Sequence, residues 1–415
     1  MSGLLRRITP AELNGTRLAP NGADEGKVAA DIVESVRHGG EEALRAHAEE
    51  LGDIEPGRSL TVDREDLRAA FETLDPADRE LLVRVHRRIE KFARAQREGL
   101  SDLNISIEGG QAGHRWIPVN SVGAYAPGGR YPLPSSVLMT VTPARIAGVT
   151  SVWVASPRPS QLTLAAAWVA GADGVLAVGG AQAIAALAFG TVTPTCDLIV
   201  GPGSKWVTAA KKHLFGEVGI DGLAGPSEIL VIADESANPA LVAADLLAQA
   251  EHDVDAVPAL ITTSGELADR VDEELRAQLE DLPSAEVARA ALDNGICVVV
   301  DSLSRAAGVS DALAPEHLAI HTADPRSMAM QVRNYGSIFV GSSAAEAFAD
   351  YGAGPNHVLP TGGGARYSGG LSVLTFLKAS TWLAIDHPDD LIEDTARLAR
   401  LEGLEAHARA ALGRS

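Results

Sequence analysis

The hydrophobic pattern of this 415-residue chain changes its period part of the way along. From Asp24 to about Gly99, apolar residues recur every three or four positions, which is the spacing of amphipathic helices. Beyond Arg115 they gather in short runs separated by Ala-rich helical segments, and most of the runs end in Gly or Pro. The runs read SVGAYAP, SVWVASP, GVLAVGG, DLIVGPG and EILVIAD. Strands alternating with helices in this way predict a parallel, doubly wound sheet.

Two more strand-like runs, ICVVVD and SIFVG, follow with helical segments between them, and a helix-rich stretch begins at about Leu374. No internal repeat of fixed period is visible in the sequence. Because the chain is too long for one small domain, we predict an α/β fold with two α/β units and a tail.

Composition and charge narrow the class of partner. The formal net charge is -20 and the isoelectric point is near 4.9, so nucleic acids and anionic membranes would repel the chain. The only cysteines, Cys196 and Cys297, lie in apolar runs and offer neither a disulfide framework nor a thiolate zinc cluster. The start of the sequence shows no apolar signal core, and the Ala-rich run around Asp173 is interrupted well short of a membrane span. We expect a cytoplasmic protein that binds small molecules, with no nucleic acid or membrane partner.

Glycine-rich loops follow several predicted strands, where doubly wound sheets bind their ligands. They are APGGR (Ala126 to Arg130), VGGAQA (Val178 to Ala183) and GPGSKW (Gly201 to Trp206). Their backbone N–H groups could face a ligand, but glycine also permits tight turns, and for any one loop alone that reading is favoured. None completes G-x-G-x-x-G, so the spacing gives no standard dinucleotide fingerprint.

The segment LLAQAEHDVDA contains the end of a predicted helix and several closely spaced polar side chains. Gln249 and His252 are three residues apart, which places both side chains on one helix face, where they could converge on an ion. Histidine suits zinc, and a glutamine oxygen is a rare but feasible ligand. A histidine also interacts favourably with the negative end of a helix dipole, and without a third ligand this alternative is favoured.

Three further segments carry candidate chemistry. In LAPEHLAIHT, Glu316 and His317 stand at a predicted strand start and could form a general acid–base couple, although an ordinary strand-entry turn is the alternative. The extended segment separates His317 from His321, so these two are not paired as metal ligands. A loop rich in Gly and Pro holds Asp350, Asn356 and His357, and a terminal helix that otherwise looks solvated holds Glu402 and His407.

Five segments, in this order along the chain, resemble the histidinol dehydrogenase family, which is zinc- and NAD-dependent and completes histidine biosynthesis. They are AGPSEILVIAD, LLAQAEHD, PEHLAI, GPNHVLPTGG and EGLEAH, and the similarity runs from about Val28 to His407. The resemblance implies oxidation of L-histidinol to L-histidine through L-histidinaldehyde with two NAD. It also implies a homodimer whose active site is shared between subunits.

The resemblance further implies a role for each matching residue. Glu316 and His317 form the acid–base pair, in which His317 takes the alcohol proton and Glu316 activates water. The implied ligands of one zinc ion per subunit are Gln249, His252, Asp350 and His407. The implied substrate-binding residues are Ser227, His357, Glu402, His317 and the four zinc ligands. The implied NAD contacts are Tyr125, Gln182 and Ser204.

One departure from the family pattern concerns the cofactor. The family usually reads GPGN where this chain has Ser204, and Trp206 replaces a common tyrosine. A serine hydroxyl is shorter than a carboxamide and offers fewer hydrogen bonds, so we expect a weaker cofactor contact there.

Together, the pattern and the resemblance imply two doubly wound, incomplete Rossmann-like domains with mainly parallel sheets and small helical segments at both ends. We expect residues 24–120 and 240–373 to form the first domain, with the zinc and acid–base residues. Residues 121–239 form the second, which contacts NAD; residues 1–23 precede them, and residues 374–415 form a helical tail exchanged in the dimer.

Other functions remain open at this stage. A related zinc-dependent NAD alcohol dehydrogenase could act on a different small polar alcohol, although His357 and Glu402 favour histidinol. A zinc-bound binding protein without turnover is disfavoured by the intact pair Glu316 and His317, and a zinc hydrolase by the lack of H-E-x-x-H.

Overall fold

The computed structural model describes residues 3–13, 25–128 and 132–414. In these residues the strands are β1 (Arg6–Ile8), β2 (Thr61–Val62), β3 (Leu103–Ile107), β4 (Gly110–Pro118), β5 (Ser121–Tyr125), β6 (Ser151–Ala155), β7 (Gly174–Leu176), β8 (Leu198–Val200), β9 (Gly219–Ile220), β10 (Glu228–Ala233), β11 (Val257–Thr262), β12 (Ile296–Val299), β13 (His317–His321), β14 (Ser337–Val340) and β15 (Leu377–Ile385). The α-helices are α1 (Glu25–Glu50), α2 (Arg64–Glu72), α3 (Pro76–Glu98), α4 (Pro134–Ala147), α5 (Gln161–Ala170), α6 (Gly180–Phe189), α7 (Lys205–Leu214), α8 (Pro239–Ala250), α9 (Gly265–Glu280), α10 (Ala285–Leu292), α11 (Leu303–Leu313), α12 (Pro325–Ala329), α13 (Glu346–Asp350), α14 (Asp389–Leu401) and α15 (Glu405–Leu412). Short 3-10 helices span Pro10–Leu13, Gly364–Arg366 and Val373–Phe376. Gly129 and Arg130 of the APGGR loop, and much of the predicted segment 1–23, lie outside the described residues.

Two six-stranded sheets dominate the fold and share one strand order. The N-terminal sheet runs β2-β7-β6-β5-β8-β9, with β2 antiparallel to β7 and the other pairs parallel. The C-terminal sheet runs β1-β12-β11-β10-β13-β14 and is wholly parallel. In the N-terminal sheet, β5 lies between β6 and β8, and in the C-terminal sheet β10 lies in the same way between β11 and β13. The predicted α/β fold with mainly parallel, doubly wound sheets is confirmed.

Each sheet is covered by helices on both faces, which explains its uninterrupted apolar strands. Alternate residues of β10 point to opposite faces: Ile229 and Val231 pack with α8, α9 and α10, whereas Leu230 and Ile232 pack with α11 and α12. In the N-terminal sheet, α2 to α5 cover one face and α1, α6 and α7 the other. One buried cysteine lies in each half, Cys196 beneath α6 and α7 and Cys297 in the core with α8 and α9.

The two ends of the chain differ from their helical prediction. Arg6–Ile8 forms strand β1, which pairs with β12 at the edge of the C-terminal sheet. Leu377–Ile385 forms β15, which joins the hairpin β3–β4 in a small antiparallel sheet ordered β15-β4-β3. The strand was missed because its side chains are mostly exposed and give no buried alternation. Helices α14 and α15 complete the tail as predicted.

Sheet membership also differs from the predicted domain boundaries. Helix α1 packs on the N-terminal sheet, where Ala29 and Val33 share a core with Ile184, although residues 24–120 were assigned to the other domain. Strand β10, assigned to the second domain with residues 121–239, lies between β11 and β13 in the C-terminal sheet. A strand buried on both faces has the same apolar pattern in either sheet, so its partners cannot be read from that pattern.

Candidate active site

A cluster of buried polar side chains lies at the amino edge of the C-terminal sheet, beside the strands β10 and β13. Glu228 and His317 are the first residues of these two strands, and Ile229 is paired with His317. Glu316 directly precedes β13, so the strand start predicted for Glu316 and His317 is confirmed. All three side chains are buried.

His317 is held in one tautomer by the backbone. Its Nδ1 lies 3.0 Å from the carbonyl oxygen of Glu228, which can only accept, so Nδ1 carries the proton and Nε2 carries the lone pair. Burial lowers the pKa of His317 to about 4, against the opposing charge of Asp350. Among the described residues Nε2 is buried without a hydrogen-bond partner, so His317 presents a neutral nitrogen base to the site.

Glu316 and Glu228 are neighbouring buried carboxyl groups. Burial raises the pKa of Glu316 well above its usual range, although the backbone N–H of Glu228 donates to Glu316 Oε2 at 2.8 Å and favours the charged form. Burial also raises the pKa of Glu228 to about 7, while the N–H of Gly362 donates to its Oε1 at 2.8 Å. A carboxyl group shifted in this way can exchange a proton near neutral pH.

A group of metal-ligating side chains lies beside His317. Helix α8 returns from the carboxyl edge of β10 and ends at this site, with Gln249 buried in its last turn. His252 follows in a turn just beyond the helix rather than on its face, and its Nε2 lies 3.8 Å from Asp350 Oδ2. Asp350 is the last residue of α13, not part of the predicted loop, and Glu346 is one turn earlier. One ligand atom from each of His252, Glu346 and Asp350 lies within 4.8 Å of the others.

The orientation of the Gln249 amide fits this group. With the nitrogen turned towards α13, it donates to Glu346 Oε1 at 2.8 Å and to the Glu228 carbonyl at 3.3 Å. The same nitrogen lies 3.1 Å from His317 Nδ1, which carries a proton and does not accept from it. The amide oxygen then faces away from these acceptors. An imidazole, a carboxylate and an amide oxygen form a nitrogen–oxygen donor set that fits zinc.

Residues from the loop after α13 connect the cluster to the N-terminal sheet. His357 donates from Nδ1 to the carbonyl oxygen of Asp350 at 3.1 Å, and its Nε2 lies 3.4 Å from Ser136 Oγ at the start of α4. Asn356 donates to the Met139 carbonyl in the same helix at 2.6 Å. Because α4 follows β5, the amino edge of the C-terminal sheet adjoins the carboxyl edge of the N-terminal sheet. Ser227 is half-buried directly before β10.

The two candidates from the tail are not brought to this cluster within one chain. Glu402 caps the end of α14, His407 lies in α15, and both are exposed. The buried residues of these helices, Ala396, Ala399 and Ala408, form a small cluster of their own. In the described residues, the metal-ligating group does not include His407.

The three predicted NAD contacts lie at the carboxyl edge of the N-terminal sheet. Tyr125 ends β5 and is buried, with its hydroxyl accepting from Gly180 N at 3.2 Å, while burial raises its pKa to about 12. Gln182 is buried in the first turn of α6. Ser204 is exposed at the start of α7 and makes no side-chain capping bond. Tyr125 and Ser204 therefore flank the point between β5 and β8 where the strand order reverses, a common binding position in such sheets.

Four acidic residues that were not predicted from the sequence form contacts at the carboxyl edge of the N-terminal sheet or the amino edge of the C-terminal sheet. Asp53 accepts from Gly179 N at 2.9 Å and from the Gln182 amide at 3.2 Å, and Asp221 pairs with buried Lys211 beside Gly201. Glu346 and Glu228 were missed at the other edge. The Glu346–Asp350 spacing and the position of Glu228 in GPSE were available signals, whereas nothing in the sequence singles out Asp53.

Comparison with known proteins places the chain in a family. The sequence profile described as histidinol dehydrogenase matches residues 19–415. Histidinol dehydrogenase of Thermus thermophilus is 48% identical over 383 residues, which cover 91% of this chain and 92% of that protein. The Haloarcula marismortui enzyme of the same name is 45% identical over 91% of this chain and 90% of its own length. The crystal structure of histidinol dehydrogenase from Elizabethkingia anophelis matches with a TM-score of 0.93 at 30% identity, covering 100% of this chain and 98% of that one.

No helix among the described residues is both long and apolar enough to cross a membrane. The profile match, the two relatives and the solved structure each extend over nearly the whole chain and carry the same family name. The chain therefore belongs to the histidinol dehydrogenase family of oxidoreductases.

Proposed function

We propose that this chain oxidises L-histidinol to L-histidine through L-histidinaldehyde, with two NAD and one water consumed per turnover. The observation that carries the proposal is the buried, neutral His317, whose Nε2 has no hydrogen-bond partner among the described residues and whose Nδ1 lies 3.6 Å from both Glu316 Oε2 and Glu346 Oε1. A binding protein without turnover would not need a desolvated base at this position.

Zinc is the metal that we propose for the site. Gln249, His252 and Asp350 would hold it, with His407 supplied by a second subunit. When bound, zinc would supply a template that orients the amine and imidazole of the substrate. His357 and Ser136 adjoin Asp350 and are placed to contact the same substrate.

His317 handles the first proton. Its Nε2 takes the proton of the alcohol as a hydride leaves the carbinol carbon for the first NAD. The Glu228 carbonyl, which accepts from Nδ1, then stabilises the positive charge that develops on the ring. The product of this half-reaction is the aldehyde.

Glu316 handles the second step as a base towards water. A carboxylate with a raised pKa is a stronger base than an exposed one, so it can take a proton from the water that attacks the aldehyde. The hydrate then passes a hydride to the second NAD and becomes the carboxylate of histidine. Tyr125, Gln182 and Ser204 are the residues that we propose contact NAD, and Ser227 and Glu402 contact the substrate.

We further propose that two copies of the chain share their sites, with Glu402 and His407 reaching the partner subunit. The exposed apolar side chains of the small sheet and the tail, which a second copy could cover, support the proposal. The largest exposed fractions among them are 67% at Leu383, 59% at Leu398 and 78% at Leu401. The tail helices also pack mainly on each other, as expected of a segment that completes its core elsewhere.

The substrate and stoichiometry can be tested directly. Zinc-loaded protein is supplied with NAD and either L-histidinol or L-leucinol, which has the same amino alcohol but no imidazole. We expect two NADH per histidine formed from L-histidinol and little NADH from L-leucinol. Turnover of L-leucinol without turnover of L-histidinol would favour the alternative, a zinc-dependent alcohol dehydrogenase with a different small polar substrate.

Mixed subunits test the shared site. His252→Ala and His407→Ala are expected to be nearly inactive as homodimers. If His407 acts across the interface, one site of the mixed dimer collects both changes and the other keeps all four proposed ligands, so the dimer regains about half of the wild-type activity. If His407 acts within its own chain, each site carries one change, and a verified mixed dimer stays inactive.

A further inference from the structure

Glu346 contacts the proposed zinc ligand Gln249 and is the most buried carboxyl group of the metal-ligating group. Only 2% of its surface is exposed, whereas the side chains of Asp350 and His252 are 17% and 44% exposed. Glu346 begins α13 and Asp350 ends it, so one short helix presents a partly buried carboxylate and a fully buried one to the end of α8.

The contact between Glu346 and Gln249 selects one end of the amide. The two ends of a carboxamide have nearly the same shape, but only the oxygen can ligate a cation. Glu346 Oε1 accepts from the amide nitrogen at 2.8 Å, and the Glu228 carbonyl is a second acceptor at 3.3 Å. The Glu228 carbonyl can only accept, and Glu346 accepts in its carboxylate form, so the opposite orientation would then place oxygen against oxygen.

We propose that Glu346 is a positioning residue, which fixes the Gln249 amide with its oxygen towards the metal. This inference rests on the proposed zinc site and adds to it the group that makes a neutral amide a dependable ligand. Partners of this kind orient metal ligands, and their loss typically lowers metal affinity by about 10- to 100-fold.

Zinc affinity of the resting protein is the decisive measurement, obtained by competition with a chromogenic chelator, and absorption of the cobalt-substituted protein reports the ligand geometry. Glu346→Leu removes the acceptor and is expected to weaken zinc binding about 10- to 100-fold. Glu346→Gln keeps a carbonyl oxygen that can accept from Gln249, so its affinity should stay within about threefold of wild type. Glu235→Leu, at an exposed glutamate outside the cluster, controls for the lost charge.

A double-mutant cycle separates positioning from direct ligation. If Glu346 acts through Gln249, then Glu346→Leu weakens zinc binding by less than about twofold in a Gln249→Ala background. Equal losses in Glu346→Gln and Glu346→Leu, or additive losses in the cycle, would make Glu346 a ligand itself and overturn the inference. Unchanged affinity in a folded Glu346→Leu variant would also overturn it. Failure of the wild-type chain to bind zinc would instead count against the proposed function.

Discussion

The two large sheets share one strand order but place their polar groups at opposite edges. In the N-terminal sheet, Tyr125 ends β5 and Ser204 follows β8, and both flank the reversal point at the carboxyl edge. In the C-terminal sheet, Glu228 and His317 open the strands on either side of the equivalent point, so the cluster lies at the amino edge. The usual expectation for doubly wound sheets therefore describes only one half of this molecule.

The difference follows from how the halves adjoin. The contacts of His357 with Ser136 and of Asn356 with Met139 bring the amino edge of one sheet against the carboxyl edge of the other. The N-terminal edge offers glycine-rich backbone supported by buried ion pairs and hydrogen bonds, which suits a large cofactor. The C-terminal edge offers titratable side chains, which suit proton transfer. Changes at the two edges should therefore have separable effects.

Removal of the metal is expected to have the largest effect. Chelation should reduce NADH formation to background, because the ligands that would orient the substrate lie at the C-terminal edge, while NAD still binds at the other. Activity and NAD affinity are measured before and after dialysis against chelator, and zinc should restore turnover. Full activity in verified metal-free protein would contradict both the metal requirement and this separation.

Glu316→Gln should lower the rate of oxidation of supplied L-histidinaldehyde by about 10²- to 10⁴-fold, because an amide cannot take a proton from water. The first hydride transfer from L-histidinol should lose less, since His317 remains. The amide oxygen can still accept from Glu228 N–H, so the fold is preserved. Rapid-mixing measurements of each half-reaction check this, and equal losses in both would reject the division between Glu316 and His317.

Substitution of Asp53 should affect the N-terminal edge and leave the C-terminal edge unchanged. Asp53→Ala leaves Gly179 N–H and the Gln182 amide without their acceptor. Leaving a buried donor unsatisfied has a free-energy penalty of roughly 1–3 kcal/mol. We expect the KM for NAD to rise by about tenfold, within that range, with zinc affinity unchanged. Asp53→Asn retains an accepting oxygen and should stay near wild type. A fall in zinc affinity in Asp53→Ala would show that the two edges are coupled.

Ser204→Asn should have the smallest effect. The wild-type hydroxyl makes no capping bond in α7, so its replacement costs the helix nothing, and asparagine is itself a favourable cap. One added hydrogen bond of roughly 0.5–1.5 kcal/mol should lower the KM for NAD by about two- to tenfold. An unchanged or higher KM would show that this loop already binds the cofactor in another way.

The sequence predicted individual helices and strands better than contacts between residues that are distant along the chain. The apolar runs identified the central strands β5, β6, β7, β8 and β10 and the later strands β12 and β14, but not β1, β11 or β15. The helix that contains Gln249 and the strand that starts at His317 were also predicted, because each depends on local spacing. Glu346 was missed because its burial depends on α13 packing against α8, which are distant in sequence. Asp53 was missed for the same reason, since it meets Gly179 across 126 positions of chain. The resemblance supplied residue roles that spacing alone left open.

The two buried cysteines give each half of the molecule its own reporter of local opening. Burial raises the pKa of Cys196 to about 12 and that of Cys297 to about 11, so both thiols stay protonated and shielded while their cores are closed. Cys196 becomes reactive only when the core around α6 and α7 opens, and Cys297 only when the core around α8 and α9 opens. Thiol-labelling rates under native conditions would therefore rank the opening free energies of the N-terminal and C-terminal halves without any engineered probe.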